Sequence, residues 1–226
     1  GFILLLIYFA PAGGIATNTV ASFAENAVSV QSGLEVGDTI VKVDGRSCLT
    51  ANELGYAFSA VEDEKVDLVV KRNGEKIQLK DVEFEIAEAE GIKYFKRDFN
   101  LQYQKNSFTT CITQSFKYTV SYARIVWFSL VDLVRGKYSM NEVSGPVGVA
   151  SALGEATKSG IDVLLPMLCL ITVNLGVFNL LPIPALDGGR LVFILFEMIA
   201  RKPVPQKYES VIHAAGFIIL MLFLDF

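Results

Sequence analysis

One amide, two prolines and one carboxylate stand within a few residues of each other in Asn179-Leu-Leu-Pro182-Ile-Pro184-Ala-Leu-Asp187, followed by Gly-Gly-Arg190. An oriented, ionised carboxylate in a partly dry cavity can ligate a metal. An amide such as that of Asn179 can hydrogen-bond a substrate carbonyl or a developing oxyanion. Pro182 and Pro184 lack amide hydrogens and prevent a regular helix between the two. Asp187-Gly-Gly is predicted to open the next helix, where the helix dipole favours an anion. On the residues alone two readings stay open: Asp187 as a metal ligand, or Asp187 as a helix-capping residue after a structural proline turn.

What must position these groups is apolar. From Val163 to Leu186 there is no Asp, Glu, Lys or Arg, and roughly 20 such residues suffice to cross a bilayer. A carboxylate at the edge of such a segment is a functional-site candidate by default. The surrounding extended backbone must be buried in protein or line a wet cavity. The whole chain is 52% hydrophobic with a mean hydropathy of +0.43, and its apolar residues are clustered at the two ends. The net charge of −4 gives no reason to propose nucleic-acid binding. Cys48, Cys111 and Cys169 are scattered and odd in number, so they form neither a disulfide framework nor a metal knuckle; Cys169 reads as a packing residue.

Before that segment the order is membrane, soluble module, helix. Phe2-Ile-Leu-Leu-Leu-Ile-Tyr-Phe-Ala10 has no basic region ahead of it, unlike a signal peptide. It reads as the end of a transmembrane helix (1–12) whose beginning lies upstream. A small α+β module follows over 17–83. Thr39–Val43 is a predicted strand, and Thr50-Ala-Asn-Glu53 a capping box for a helix carrying Leu54, Phe58 and Val61. Val66–Val70 and Lys76–Leu79 are strands around Asn73-Gly74, a hairpin signal. Residues 84–107 read as a β-rich connector. From Phe108 to Arg135, Ile112, Phe116, Val120, Ala123, Trp127, Leu130 and Val134 recur at helical spacing. Lys117, Arg124, Asp132 and Arg135 argue against a full crossing. An amphipathic juxtamembrane helix over 108–136 is expected, with Trp127, Tyr118 and Tyr122 at an interface; a packed helix of a soluble subdomain is the other reading. Ser144-Gly-Pro-Val-Gly148 is a turn. Residues 160–226 form a membrane domain: Leu191–Ala200 is too short to span, Tyr208–Leu224 is the last transmembrane candidate, and Arg201, Lys202 and Lys207 place the loop between them in the cytoplasm. The α+β module then lies outside.

Two resemblances sharpen this. Gln31-Ser-Gly-Leu-Glu-Val-Gly-Asp-Thr-Ile-Val-Lys-Val-Asp-Gly45, then a helix, then Val-Lys-Arg-Asn-Gly74, resembles a bacterial-type PDZ domain. Such domains bind extended peptides by adding a strand to a sheet edge; a spacer or steric filter is the alternative role. Asn179-x-x-Pro182-x-Pro184-x-Leu186-Asp187-Gly188 is similar to the signature of the site-two protease family of intramembrane zinc metalloproteases, and within it to the bacterial regulator of sigma-E protease group. The turn at 144–148, the central PDZ and the final helix match that family's order, so the likeness covers nearly the whole chain. It implies a multi-pass α-helical membrane protein of the bacterial cell (inner) membrane with an inserted α+β PDZ domain on the extracytoplasmic side.

The family resemblance further implies zinc as cofactor, Asp187 as its third ligand, and Asn179 as the residue that positions substrate or stabilises the transition state. Its substrates are single-span membrane proteins, such as anti-sigma factors or remnant signal peptides. The family's other ligands are two histidines of a His-Glu-x-x-His helix whose Glu is the general base. That motif is absent here, so an upstream helix is expected to carry it and this chain alone to be inactive. His213 is the one histidine and reads as a packing or polar-network residue. No Gly-x-Ser-x-Gly motif supports a serine protease, and Asp187 has no second intramembrane carboxylate for an aspartyl protease. A membrane-anchored PDZ adaptor without catalysis is the competing class.

Overall fold

The computed structural model describes residues 1–61, 63, 65–89, 92–137, 145–183, 186–201, 212 and 214–218. They form two units, one of residues 2–125 and one of Gly1 with residues 126–226. Most of the expected last transmembrane segment, with His213, lies outside the described residues, as do Ser144, Pro184, Ala185, Lys202 and Lys207.

In the first unit, alternation in the sequence becomes a sheet. After helix α1 (Phe2–Phe9) come β1 (Gly14–Phe23), β2 (Thr39–Val43), the short β3 (Arg46–Ser47), helix α2 (Ala51–Ser59), β4 (Lys65–Arg72), β5 (Glu75–Glu83), β6 (Glu85–Ala89), β7 (Ile92–Lys96) and β8 (Phe99–Lys105). The strand order is β5-β4-β2-β1-β8, with β3 beside β2 and β6-β7 as a separate hairpin. Every pairing is antiparallel. In β4, Val66, Leu68 and Val70 point into the core while Lys65, Asp67 and Lys71 point out, the period-2 pattern of a half-buried strand. The core joins these to Leu34, Ile40, Val43, Leu54, Phe58 and Phe99. Phe58, Phe84 and Phe99 meet at ring-centroid separations of 5.3–6.2 Å.

Local signals act as their chemistry requires. Asn73 (φ 51°) and Gly74 (φ 93°) close the β4–β5 hairpin between paired Arg72 and Glu75. Two successive positive φ values define the tight turn that Asn-Gly favours. Thr50 caps α2 by accepting the Glu53 amide. Glu53 reaches back one residue further than the expected box, accepting the amide of Leu49. The turn at 32–38 is held by Asp38, fully buried, which receives Arg72 Nε at 2.8 Å and Nη2 at 2.7 Å. Arg72 also binds Gly33 O and Glu35. We expect Arg72→Ala to leave Asp38 as an uncompensated buried charge and to cost about 3 kcal/mol, read as a lower urea midpoint. A change under about 1 kcal/mol would mean water replaces the guanidinium.

The connector stretch contributes more than a link. β8 pairs with β1 from Gly14↔Lys105 to Phe23↔Phe99 and buries Phe99 and Leu101 in the module's core. Helix α3 (Phe108–Val134) follows. Of its apolar side chains, Phe108, Ile112, Phe116, Trp127 and Val134 are exposed, while Val120, Ala123 and Leu130 are half-buried. Tyr118 and Tyr122 correct the interface expectation, because both are buried against the module. Tyr118 donates to Ala16 O at 3.0 Å, Tyr122 accepts from Asn52, and Ser121 meets Thr50 at 2.6 Å. Arg124 Nη2 donates to Ser47. Its Nε lies 2.9 Å from Glu53 Oε1 in an ion pair whose direction makes no hydrogen bond, so that oxygen has none. Burial pushes Glu53 above the usual carboxylate range, while the Leu49 amide and Arg124 pull the other way. Desolvation, then the charge of Glu53, pushes the buried Cys48 thiol up to about 12, consistent with an inert packing role.

The second unit is helical. Gly145 and Pro146 do not end in a turn but start α4 (Pro146–Ser159), with Gly145 at the N-cap and Pro146 in the first turn, where its missing N–H costs nothing. Gly160, at φ +108°, separates α4 from α5 (Ile161–Leu180). The 20 residues of α5 rise about 30 Å at 1.5 Å each, the thickness of a bilayer's hydrocarbon core. Among the described residues it is the one helix long and apolar enough to cross a membrane, and almost none of it is buried, unlike a soluble core helix. Helix α6 (Asp187–Ala200) follows.

Candidate metal-ligand turn

The site is the turn between α5 and α6. α5 ends at Leu180 and is capped by Leu181, whose amide donates back to Phe178 O. Pro182 stops the helix because it has no amide to continue the ladder. Ile183 N then donates to Leu181 O at 2.7 Å, and Leu186 N to Ile183 O at 3.1 Å. Gly189 N donates to Leu186 O at 3.1 Å, starting α6. Asn179 is half-buried in the last turn of α5, and Asp187 is exposed as the first residue of α6. Asp187 therefore begins its helix as the sequence predicts. Leu186 is the cap residue and makes no side-chain cap bond. No hydrogen bond of the Asp187 carboxylate to another described residue is present, and the residue is exposed.

Gly188 brings the two helix ends together. A Cβ there would stand 2.6 Å from the carbonyl carbon of Leu180 and inside van der Waals contact of the Leu180 and Leu181 oxygens. Backbone rather than a flexible side chain fills that space, so only glycine allows the approach. Asn179 precedes Leu180 and Asp187 precedes Gly188, the two partners in this contact.

One polar group in α5 escaped the sequence reading. Asn174 Oδ1 is buried without a hydrogen-bond partner among the described residues. A lone Asn within an apolar run gives no signal of this, because the spacing does not show which face is covered. The fit of a zinc ion follows from the donors present. Asp187 offers an uncommitted carboxylate at the positive end of a helix, a suitable single ligand. Among the described residues no group of three or more His, Cys, Asp or Glu gathers to hold a metal. Cys48, Cys111 and Cys169 are all buried and free; Cys169 donates weakly to Gly1 O, in keeping with packing.

This unit thus carries one apolar helix of membrane-spanning length, followed by a proline turn and an exposed carboxylate at the start of the next helix. The family model for peptidase family M50 matches residues 4–223, and the chain belongs to that family. It is 34% identical over 224 residues to a putative zinc metalloprotease of Clostridium perfringens, covering 97% of this chain and 66% of that protein. It is 33% identical to the zinc metalloprotease RasP of Shouchella clausii, with 98% and 53% covered. A putative zinc metalloprotease of Fusobacterium nucleatum is 32% identical, with 99% and 66% covered. The chain thus spans between about half and two thirds of the length of these relatives.

Proposed function

We propose that the full-length protein is an intramembrane zinc metalloprotease that hydrolyses peptide bonds within membrane-spanning substrates, in regulated intramembrane proteolysis. The observation that carries this is the uncommitted Asp187 carboxylate at the start of α6, beside an apolar helix, in a chain of peptidase family M50. The names of its relatives add zinc and proteolysis. In this reading the protein is a multi-pass protein of the bacterial cell membrane, and the α+β module is a PDZ domain on the extracytoplasmic side. Its substrates are single-span membrane proteins such as anti-sigma factors or remnant signal peptides.

The roles are those that the family resemblance implies for these positions. Asp187 would hold zinc together with two histidines, and a segment outside this chain would supply those histidines and the glutamate base. Zinc, when bound, lowers the pKa of a water and polarises a carbonyl. Asn179, across the turn, hydrogen-bonds the substrate carbonyl and fixes it for attack. Pro182 and Gly188 keep the turn short, so amide and carboxylate serve one peptide bond. A substrate helix must unwind locally before its backbone can enter.

The test is cleavage of a single-span reporter by the full-length protein in proteoliposomes. Chelation is expected to abolish cleavage and stoichiometric zinc to restore it. Asn179→Ala is expected to lower turnover about 10²-fold while zinc content stays unchanged; loss of zinc instead would make Asn179 structural. A full-length protein that holds no zinc and cleaves nothing would be the PDZ adaptor.

A further inference from the structure

We propose that α3 is an autoinhibitory strap. Docked, its first half closes the side of the α+β module between β1 and α2, and it lifts from there, with the module still folded, when a substrate is engaged. The engagement of substrate rests on the protease reading; the strap does not.

The hydrogen bonds of α3 trace a line from β1 to α2. Tyr118 donates to Ala16 O of β1 at 3.0 Å. One turn on, the Ser121 hydroxyl lies 2.6 Å from that of Thr50, the cap residue of α2. Tyr122 accepts from Asn52 in the first turn of α2 at 3.0 Å. Arg124 then reaches Ser47 of β3 and pairs with the buried Glu53 of α2. β1 meets β2 at Thr19 and Val20. Ahead of them it is α3, not a strand, that takes the Ala16 carbonyl.

What fastens α3 differs in kind from what holds the module together. The stripe it buries up to Arg124 runs Cys111, Gln114, Ser115, Tyr118, Ser121, Tyr122, and all but the first carry an amide or a hydroxyl. The Ser115 hydroxyl is buried without a hydrogen-bond partner among the described residues. The Tyr118 ring meets Phe9 of α1, outside the module, at a centroid separation of 5.0 Å. Phe108, Ile112 and Phe116 stay exposed. The helix thus buries its polar side and opens its apolar one, the reverse of a helix built into a soluble core. The module's core, in turn, is closed without α3. Among the described residues, the buried cluster around Val20, Leu34, Ile40, Leu54, Val70 and Phe99 includes none from that helix.

These contacts make docking reversible. A hydrogen bond contributes little net, because water takes the freed groups on release. Releasing a polar stripe therefore loses far less than releasing an apolar face of equal size. An element held in this way opens well below the free energy of global unfolding. While α3 is down, nothing can lie along β1 at Ala16 without displacing the Tyr118 hydroxyl, and the start of α2 is covered at Thr50, Asn52 and Glu53.

The test uses the full-length protein in nanodiscs, with each thiol followed separately by mass spectrometry after N-ethylmaleimide. Ser121 and Val70 are both fully buried, one under the strap and one in the core. Ser121→Cys is expected to react at least about tenfold faster than Val70→Cys. Adding Tyr118→Phe and Tyr122→Phe removes two fastenings and should speed Ser121→Cys about tenfold more, with Val70→Cys unchanged. Equal rates at the two positions, or rates that rise together, would mean that α3 opens only with the module and would overturn the proposal. If the doubly substituted protein does not fold, Tyr118→Phe alone replaces it. A lock gives the second reading. Thr50→Cys with Ser121→Cys, in a Cys48→Ala background, brings two thiols within disulfide reach, to be oxidised with diamide. The locked protein should cleave a single-span reporter at least about tenfold more slowly than the same protein reduced with a phosphine, while diamide leaves the native chain's cleavage unchanged. No cross-link would contradict the docking, and equal cleavage when locked would contradict the inhibition. The thiol rates need no cleavage, so a protein that hydrolyses nothing would refute the protease reading and leave the strap to be judged on those rates.

Discussion

Asp187→Ala in the full-length protein is expected, on the proposed reading of Asp187 as a third metal ligand, to lower reporter cleavage at least about a thousandfold. The same substitution should hardly disturb the fold. The carboxylate is exposed and the α6 cap uses no side-chain bond, so its structural contribution is the helix-dipole term of about 0.3–1 kcal/mol. The two readings of this residue therefore separate cleanly. A metal ligand loses activity with a near-unchanged unfolding midpoint. A helix-initiating Asp loses a little stability and keeps activity within a few-fold.

Gly188→Ala is expected to lower cleavage about 10²-fold by a different route. The added methyl falls on the main chain of Leu180 and Leu181, which can yield only if α5 and α6 separate at their ends. Asp187 and Asn179 would then no longer stand across one turn, and a displacement of about 1 Å costs on the order of 10²-fold. Gly176→Ala in α5 is the matched control. Nothing lies within 4 Å of a Cβ there, so activity should persist. Full activity in Gly188→Ala would mean that the turn is loose and that the close approach of the two helix ends does not set the site.

How much of this was legible in the sequence depends on the range of each interaction. The Asn73-Gly74 hairpin and the Thr50 cap were readable because each is decided within four residues by backbone conformation. Helix α3 was readable in extent from its periodicity, but not in orientation. Its tyrosines read as interfacial because spacing cannot say that Ala16 and Asn52, far away in the chain, would meet them. The pairing of β8 with β1 spans about 80 residues, and the alternation in Phe-Asn-Leu-Gln-Tyr-Gln-Lys is too brief to name a partner. α4 was missed because Gly145-Pro146 signals both a turn and a helix start. At the site, the proline break, the helix beginning at Asp187 and the two candidate residues were all visible. The need for glycine at 188 was not, because it arises from backbone meeting backbone across the turn. The buried oxygen of Asn174 was equally invisible.

The most direct measurement is the zinc content of the purified full-length protein, by mass spectrometry of the metal after gel filtration, for the native chain beside Asp187→Ala and Gly176→Ala. One zinc per chain in the native protein and in Gly176→Ala, with little or none in Asp187→Ala, is the predicted result. Full zinc occupancy in a folded Asp187→Ala variant that still cleaves would contradict it.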